Sequence, residues 1–170
     1  MTALQEEDLT WNRVRKVHVV GTRGAYWPRT QSEGIRLVVG LDTSGSINAQ
    51  QIQAFLGEVT GILWSIGGID LTLYVCDADV HAVWRLTPQD PIPDKIPGGG
   101  GTDFRPVFDR IAKDYDTPPD ALVFFTDSDG AFPEAPPDYP VLWIVDGPPE
   151  LQERVPWGEV VEYTPEATAA

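Results

Sequence analysis

Two kinds of hydrophobic pattern alternate along the middle of this 170-residue chain. Runs in which consecutive positions are apolar are typical of strands that are buried on both faces. Apolar residues three and four positions apart, as between Ile52 and Ile66, predict helices that cover one face of a sheet. The chain therefore predicts an α/β fold with strands at 36–42, 70–76, 80–86, 121–126 and 141–145, helices at 49–66 and 104–115, and a short last strand after Trp157.

The lengths of the connections predict the topology. Residues 77–79 alone separate two of the strands, so we expect an antiparallel hairpin there, at one edge of the sheet. The other strands are joined by longer segments, which are typical of crossover connections. The expected sheet is therefore mostly parallel, with one antiparallel edge strand.

Polar residues with oxygen side chains follow the first buried strand. Asp42, Ser44 and Ser46 stand directly after it, and ligands of open α/β sheets bind outside the carboxyl ends of the strands. Such donors suit a hard cation such as Mg²⁺, which prefers about six oxygen ligands. Two more donors follow glycines or a strand end, so the candidate metal set becomes Asp42, Ser44, Ser46, Thr102 and Asp127.

Structural roles are open alternatives for the serines and for Thr102. Asp and Ser favour helix N-caps and turns, although Asn48 with Gln51 three residues later forms a better capping box for the first helix. Thr102 could belong to a helix start, and we expect Asp103 as the N-cap with Pro106 in the first turn. Four glycines before Thr102 indicate a close backbone approach or a moving loop.

The segments DTSGS, GGGGTDF and FFTDSDG, in this order, resemble the metal-ion-dependent adhesion site of von Willebrand factor A (VWA) domains. GGGGTDFRPVF and ALVFFTDSDGAFPEAPPDYPVLWIV are similar to the VWA-like C-terminal half of bacterial proteins described as metal-dependent peptidases. The resemblance implies a Rossmann-like three-layer sandwich, with helices on both faces of the sheet. We expect this domain to cover residues 36–170, with residues 1–35 as an extension that packs on it.

The resemblance also implies a function. Ser44, Ser46 and Thr102 would bind Mg²⁺, or Mn²⁺ or Ca²⁺, through their hydroxyls, while Asp42 and Asp127 would act largely through water. An Asp or Glu of a partner protein would take the open position, and in related bacterial proteins that partner is often a MoxR-type AAA+ ATPase. The implied function is a metal-dependent protein-interaction module.

One departure from the family pattern concerns the third segment. The usual TDG is spaced out to TDSDG, so Asp129 competes with Asp127 for the same role, either as a ligand or as an outer group. A turn aspartate at the strand end is the structural alternative for Asp127. We retain Asp127 because it stands nearest the strand end, as Asp42 does.

A small metal-dependent hydrolase, either a peptidase or a phosphoesterase, is the alternative function. Its motifs are missing from the sequence. His18 and His81 are far apart and form no HExxH motif, so we interpret both as ordinary surface or strand residues. No GxSxG elbow surrounds Ser44, which also stands where an aspartyl phosphotransferase commonly has a second Asp. A docking domain that needs no metal is a third possibility.

Composition limits the partners. The first 36 residues carry net charge +2 and the remainder −16, which sum to −14. This acidic field argues against nucleic acid and favours cations. Cys76, the single cysteine, predicts a buried thiol without a disulfide. With no signal pattern and no apolar run near about 18 residues, we expect a cytoplasmic protein with no membrane partner.

Overall fold

The computed structural model describes residues 34–93 and 95–163, together with the backbone of two short strands that precede them. These strands, β1 (Arg15–Val17) and β2 (Ala25–Trp27), pair antiparallel with each other. His18 and most of the predicted N-terminal extension lie outside the described residues. The main elements are β3 (Arg36–Asp42), α1 (Ala49–Ser65), β4 (Asp70–Cys76), β5 (Val80–Leu86), α2 (Arg105–Asp114), β6 (Ala121–Thr126), β7 (Val141–Asp146), α3 (Pro149–Gln152) and β8 (Glu159–Tyr163).

Six of these strands form one sheet in the order β5-β4-β3-β6-β7-β8. All neighbours are parallel except β4 and β5, which form the antiparallel hairpin at one edge. The hairpin, the mostly parallel sheet and the last strand are therefore confirmed. The boundaries of β3 to β6 agree with the sequence prediction, and the two long helices are each shorter than predicted by one or two residues.

Helices cover both faces of the sheet and so form three layers. Odd-numbered positions of β3, such as Val39 and Leu41, pack with Phe55 and Val59 of α1 in one buried cluster. On the opposite face, the second cluster contains side chains from β3, β4, β6 and β7 together with α2, among them Val38, Tyr74, Phe124, Trp143, Val107 and Ile111. Strands with two buried faces explain the unbroken apolar runs. The predicted fold class is confirmed.

The direction of chain winding reverses at β3. The segment containing α1 leads from β3 to β4 on one side, whereas the segment containing α2 returns the chain to β6 on the other side of β3. In open α/β sheets, the crevice at such a switch point binds ligands at the carboxyl ends of the strands. Asp42 ends β3 and Asp127 follows β6, so both lie at this point.

Candidate metal centre

Asp42 is a fully buried carboxylate at the end of β3. Its Oδ2 accepts a 2.6 Å hydrogen bond from the Thr126 hydroxyl, and its Oδ1 accepts a 2.9 Å bond from the Ser44 backbone N–H. Burial raises the pKa of Asp42, these hydrogen bonds partly oppose the rise, and the nearby charge of Asp127 adds to it. The ion pairs formed within the described residues include neither carboxylate. A cation between the two carboxylates would offset the cost of burying the Asp42 charge and the repulsion from Asp127.

The two serines lie together just beyond Asp42. Their hydroxyl oxygens are 3.1 Å apart, with Ser44 buried and Ser46 exposed. Neither caps α1, because Asn48 accepts hydrogen bonds from the N–H groups of Gln50 and Gln51. The Gln51 side chain in turn accepts from the Asn48 N–H, which confirms the predicted capping box. One buried and one exposed hydroxyl therefore lie side by side next to the Asp42 carboxylate.

The glycine-rich loop 98–101 lies against the serine loop. The Gly45 N–H donates to the Gly100 carbonyl over 3.0 Å, and the Gly99 N–H donates to the Thr43 carbonyl over 2.8 Å. A Cβ atom on Gly98 would lie 2.3 Å from both oxygens of Thr43, which explains why this position is glycine. The close backbone approach expected from the glycine run is confirmed. It brings the segment that contains Thr102 beside Ser44 and Ser46.

Thr102 precedes α2 and takes no part in capping it. The helix begins at Arg105 with Phe104 as the N-cap and no side-chain capping bond, so the prediction of Asp103 as the N-cap was wrong. Phe104 is fully buried among aromatic rings of the sheet face. The Asp103 carboxylate instead accepts the Arg105 N–H and pairs with its guanidinium. Pro106 lies in the first turn, as predicted.

Asp127 and Asp129 occupy different environments. Asp127 is half-buried, and its Oδ1 accepts the Asp129 N–H over 3.0 Å. Ser128 between them has a φ of 60° and donates its hydroxyl to the Leu151 carbonyl over 2.5 Å. Asp129 is exposed and lies 3.0 Å from the Arg154 guanidinium. Of the two, Asp127 is the carboxylate that raises the pKa of Asp42.

Sequence reasoning missed three residues that connect the loops at the carboxyl ends of the strands. Thr126 bonds Asp42, and its hydroxyl also accepts the Ser128 N–H. Thr43 lies within hydrogen-bonding distance of the Cys76 and Pro97 carbonyls. Asp77, directly after β4, accepts a bond from a glycine 23 residues later. The Thr-Asp pair at the end of β6 could have indicated a role for Thr126. The roles of Thr43 and Asp77 depend on contacts between distant positions, which no local sequence pattern predicts.

The donor set fits a hard cation. Two carboxylates and three hydroxyls are oxygen ligands of the kind that Mg²⁺, Mn²⁺ and Ca²⁺ prefer. Within residues 34–93 and 95–163, no group of three or more His, Cys, Asp or Glu side chains is arranged to hold a metal. An ion held by the candidate set would be bound by Ser and Thr hydroxyls as well as by carboxylates.

The sequence of the described sheet and of its loops matches a known domain family. A family model described as VWA-like domain (DUF2201) matches residues 37–164. The chain belongs to the VWA-like domain family. The match includes all the candidate metal ligands and every strand from β3 to β8, apart from the first residue of β3. Among curated proteins, none matches this chain in sequence.

One solved structure supports the same fold. The chain is similar to VWA2, an ArnB paralog from Sulfolobus acidocaldarius, with a TM-score of 0.57 and 16% identity over 72% of this chain. It spans only 38% of that chain, so the likeness concerns the fold alone. An aerotolerance-related membrane protein from Bacteroides fragilis NCTC 9343 gives a TM-score of 0.48 and 15% identity, over 66% of this chain and 67% of that one. No helix in the described part of the chain is long and apolar enough to cross a membrane.

Proposed function

We propose that this VWA-like domain is a divalent-cation-dependent protein-interaction module that captures an Asp or Glu side chain of a partner. The observation that carries the proposal is the pair of neighbouring carboxylates, Asp42 and Asp127, beside the Ser44 and Ser46 hydroxyls at the switch point of the sheet. Thr102 completes the candidate ligand set from the adjoining loop. Membership of the VWA-like family supports the same function.

The chemistry of the ligands explains why such a module would select an acidic group. A divalent cation, when bound, would supply an electrophilic position for a carboxylate oxygen. Ser44, Ser46 and Thr102 carry no charge, so they would leave more of the ion's field for that carboxylate. Ser46 is exposed, and Asp127 is half-buried, so an incoming side chain can approach from solvent on this side. The buried Thr126 hydroxyl and Ser44 N–H hold Asp42 in a single orientation.

The metal site is tested by titrating Mg²⁺ or Mn²⁺ into the protein in a calorimeter. We expect saturable binding to the wild type and its loss in Asp42→Ala, with an unchanged circular dichroism spectrum. Asp116→Ala is the matched control, because this exposed carboxylate follows α2 at the opposite edge of the sheet. Equal affinities for the wild type and Asp42→Ala would reject the proposed site.

Capture of a partner is tested by pull-down with and without EDTA, followed by mass spectrometry. We expect the same partners to be lost with EDTA and in Ser46→Ala, because Ser46 is the exposed hydroxyl of the set. Turnover of a peptide or phosphoester that EDTA stops and Asp127→Asn removes would favour the hydrolase instead. Partners retained in EDTA would favour metal-independent docking. A MoxR-type ATPase as the partner and a cytoplasmic location stay predictions.

A further inference from the structure

The turn of the β4–β5 hairpin contacts the glycine-rich loop through Asp77. This side chain is almost completely buried, and its Oδ2 accepts a 2.9 Å hydrogen bond from the Gly100 N–H. Its Oδ1 accepts from the N–H groups of Ala78 and Asp79 and lies 2.6 Å from His81 Nε2. One carboxylate therefore joins the hairpin turn to a loop that is distant in sequence.

Asp77 holds the chain on both sides of Thr102. Its side chain bonds the backbone at Gly100, two residues before Thr102. Its own carbonyl accepts a 2.9 Å bond from the Asp103 N–H, one residue after Thr102. The short segment between these two anchors has little freedom to move, so the position of the Thr102 hydroxyl depends on where Asp77 lies.

The same contacts extend to the serine loop. Gly100 receives Asp77 at its N–H, and its carbonyl accepts the Gly45 N–H, between Ser44 and Ser46. Asp77 is thus linked, through a single glycine, to the segment that carries the other two hydroxyl ligands. Position 100 has no room for a side chain, because a Cβ atom there would lie 2.6 Å from Asp77 Oδ2.

His81 completes the arrangement from β5. Burial by itself raises the pKa of Asp77, but hydrogen bonds from His81 and from the Gly100, Asp79 and Ala78 N–H groups outweigh it, so the pKa is lowered. A carboxylate kept ionised in this way is a stronger acceptor for the loop N–H than a neutral group. The structure therefore gives His81 a defined partner in addition to its place on a strand.

We infer that Asp77, oriented by His81, is a positioning residue for the metal site, and that it sets the arrangement of Thr102 relative to Ser44 and Ser46. The inference rests on the proposed function, because it concerns the same ion. Residues that orient metal ligands without touching the metal commonly change affinity by about 10–100-fold when they are replaced. Sequence gives no sign of this role, since Asp77 and Gly100 are 23 positions apart.

The test is Mn²⁺ titration calorimetry of Asp77→Asn at neutral pH. An Asn side chain has one acceptor oxygen, so either the Gly100 N–H or the hairpin N–H groups lose their partner. We expect Mn²⁺ affinity to fall about tenfold or more. Asp79→Asn is the matched control: it removes the same charge from the same turn, and within the described part of the chain its side chain accepts only from the neighbouring Val80 N–H. We expect an affinity within about twofold of the wild type, since an exposed surface charge has a small effect.

A second variant reaches the same contact from the other side. Gly100→Ala leaves Asp77 intact, but its methyl group meets the carboxylate and displaces it. We expect a loss of Mn²⁺ affinity similar to that of Asp77→Asn, and a much smaller effect of Gly100→Ala in an Asp77→Ala background. Such non-additivity indicates a shared contact, which general destabilisation would not produce. His81→Ala, which keeps the Gly100 contact, provides a milder form of the same test.

The outcomes separate this inference from the proposed function. Loss of Mn²⁺ affinity in Asp77→Asn and Gly100→Ala, with folded spectra and an unaffected Asp79→Asn, supports the positioning role. Wild-type affinity in both variants, or an equal loss in Asp79→Asn, overturns it while leaving the metal site intact. A wild type that binds no Mn²⁺ overturns the proposed function and the positioning role together. Should Asp77→Asn fail to fold, Gly100→Ala and His81→Ala give the same decision.

Discussion

At the scale of single residues, Asp42 is in an environment that does not suit a charged group. It is fully buried, and burial together with the charge of Asp127 outweighs the hydrogen bonds from Thr126 and Ser44, so its pKa is raised. A buried carboxylate with a raised pKa lowers the stability of the folded state whenever it is ionised. Functional sites commonly contain groups of this kind, because the ligand supplies the missing charge.

Asp42→Asn should therefore stabilise the metal-free protein at neutral pH while removing metal binding. The folded protein holds the Asp42 proton more tightly than the unfolded chain does, so wild-type stability falls as pH rises from 3.8 through the raised pKa. Asn does not titrate, and the stability advantage of Asp42→Asn should grow over that window. Urea unfolding at a series of pH values, in EDTA, measures this difference. A constant difference, or a less stable variant at pH 7, would contradict the interpretation of Asp42.

At the scale of elements, the buried strands were readable from sequence and the loops that join the site were not. The mainly apolar sequences of β3, β4 and β6 placed these strands correctly, because both faces of each strand are buried. Asn48 and Gln51 marked the start of α1 through local hydrogen bonds. The start of α2 was predicted one residue too early, with Asp103 as the N-cap, whereas the helix begins at Arg105 after Phe104, which packs against Trp143.

The candidate ligands themselves came from sequence order and resemblance, and the structure places them at one edge. What sequence could not give is the way the two loops are fixed. The contacts of Gly45 with Gly100, and of Gly99 with Thr43, join segments more than 50 residues apart. Such contacts form only in the folded sheet, so no local sequence pattern predicts them.

The glycine run offers a prediction at this scale. Gly98→Ala should destabilise the protein by about 1–3 kcal/mol, because its Cβ overlaps the Thr43 oxygens at 2.3 Å. Gly101→Ala is the matched control: its nearest neighbour, Ala78 Cβ, is 3.9 Å away, and the change should stay within about 0.5 kcal/mol. Chemical denaturation of both variants measures the difference. Equal stabilities would show that the loop does not pack on Thr43 as described.

At the scale of the whole molecule, topology and charge favour the same location. The sheet reverses its winding between β3 and β6, and the candidate ligands follow these strands or lie in the loop beside them. The chain carries a net charge of −14, which raises the local concentration of cations and disfavours anionic polymers as partners. VWA-like family membership agrees with this arrangement, and the metal itself is the central claim.

Anomalous diffraction from crystals grown with Mn²⁺ tests that claim most directly. The proposed function predicts one strong anomalous peak at the carboxyl edge of the sheet, within direct coordination distance of the Ser44, Ser46 and Thr102 hydroxyls. Asp42 and Asp127 should lie close to the same peak, either directly or through water. No peak at this edge under saturating Mn²⁺, or a peak only at other acidic residues, would contradict the account.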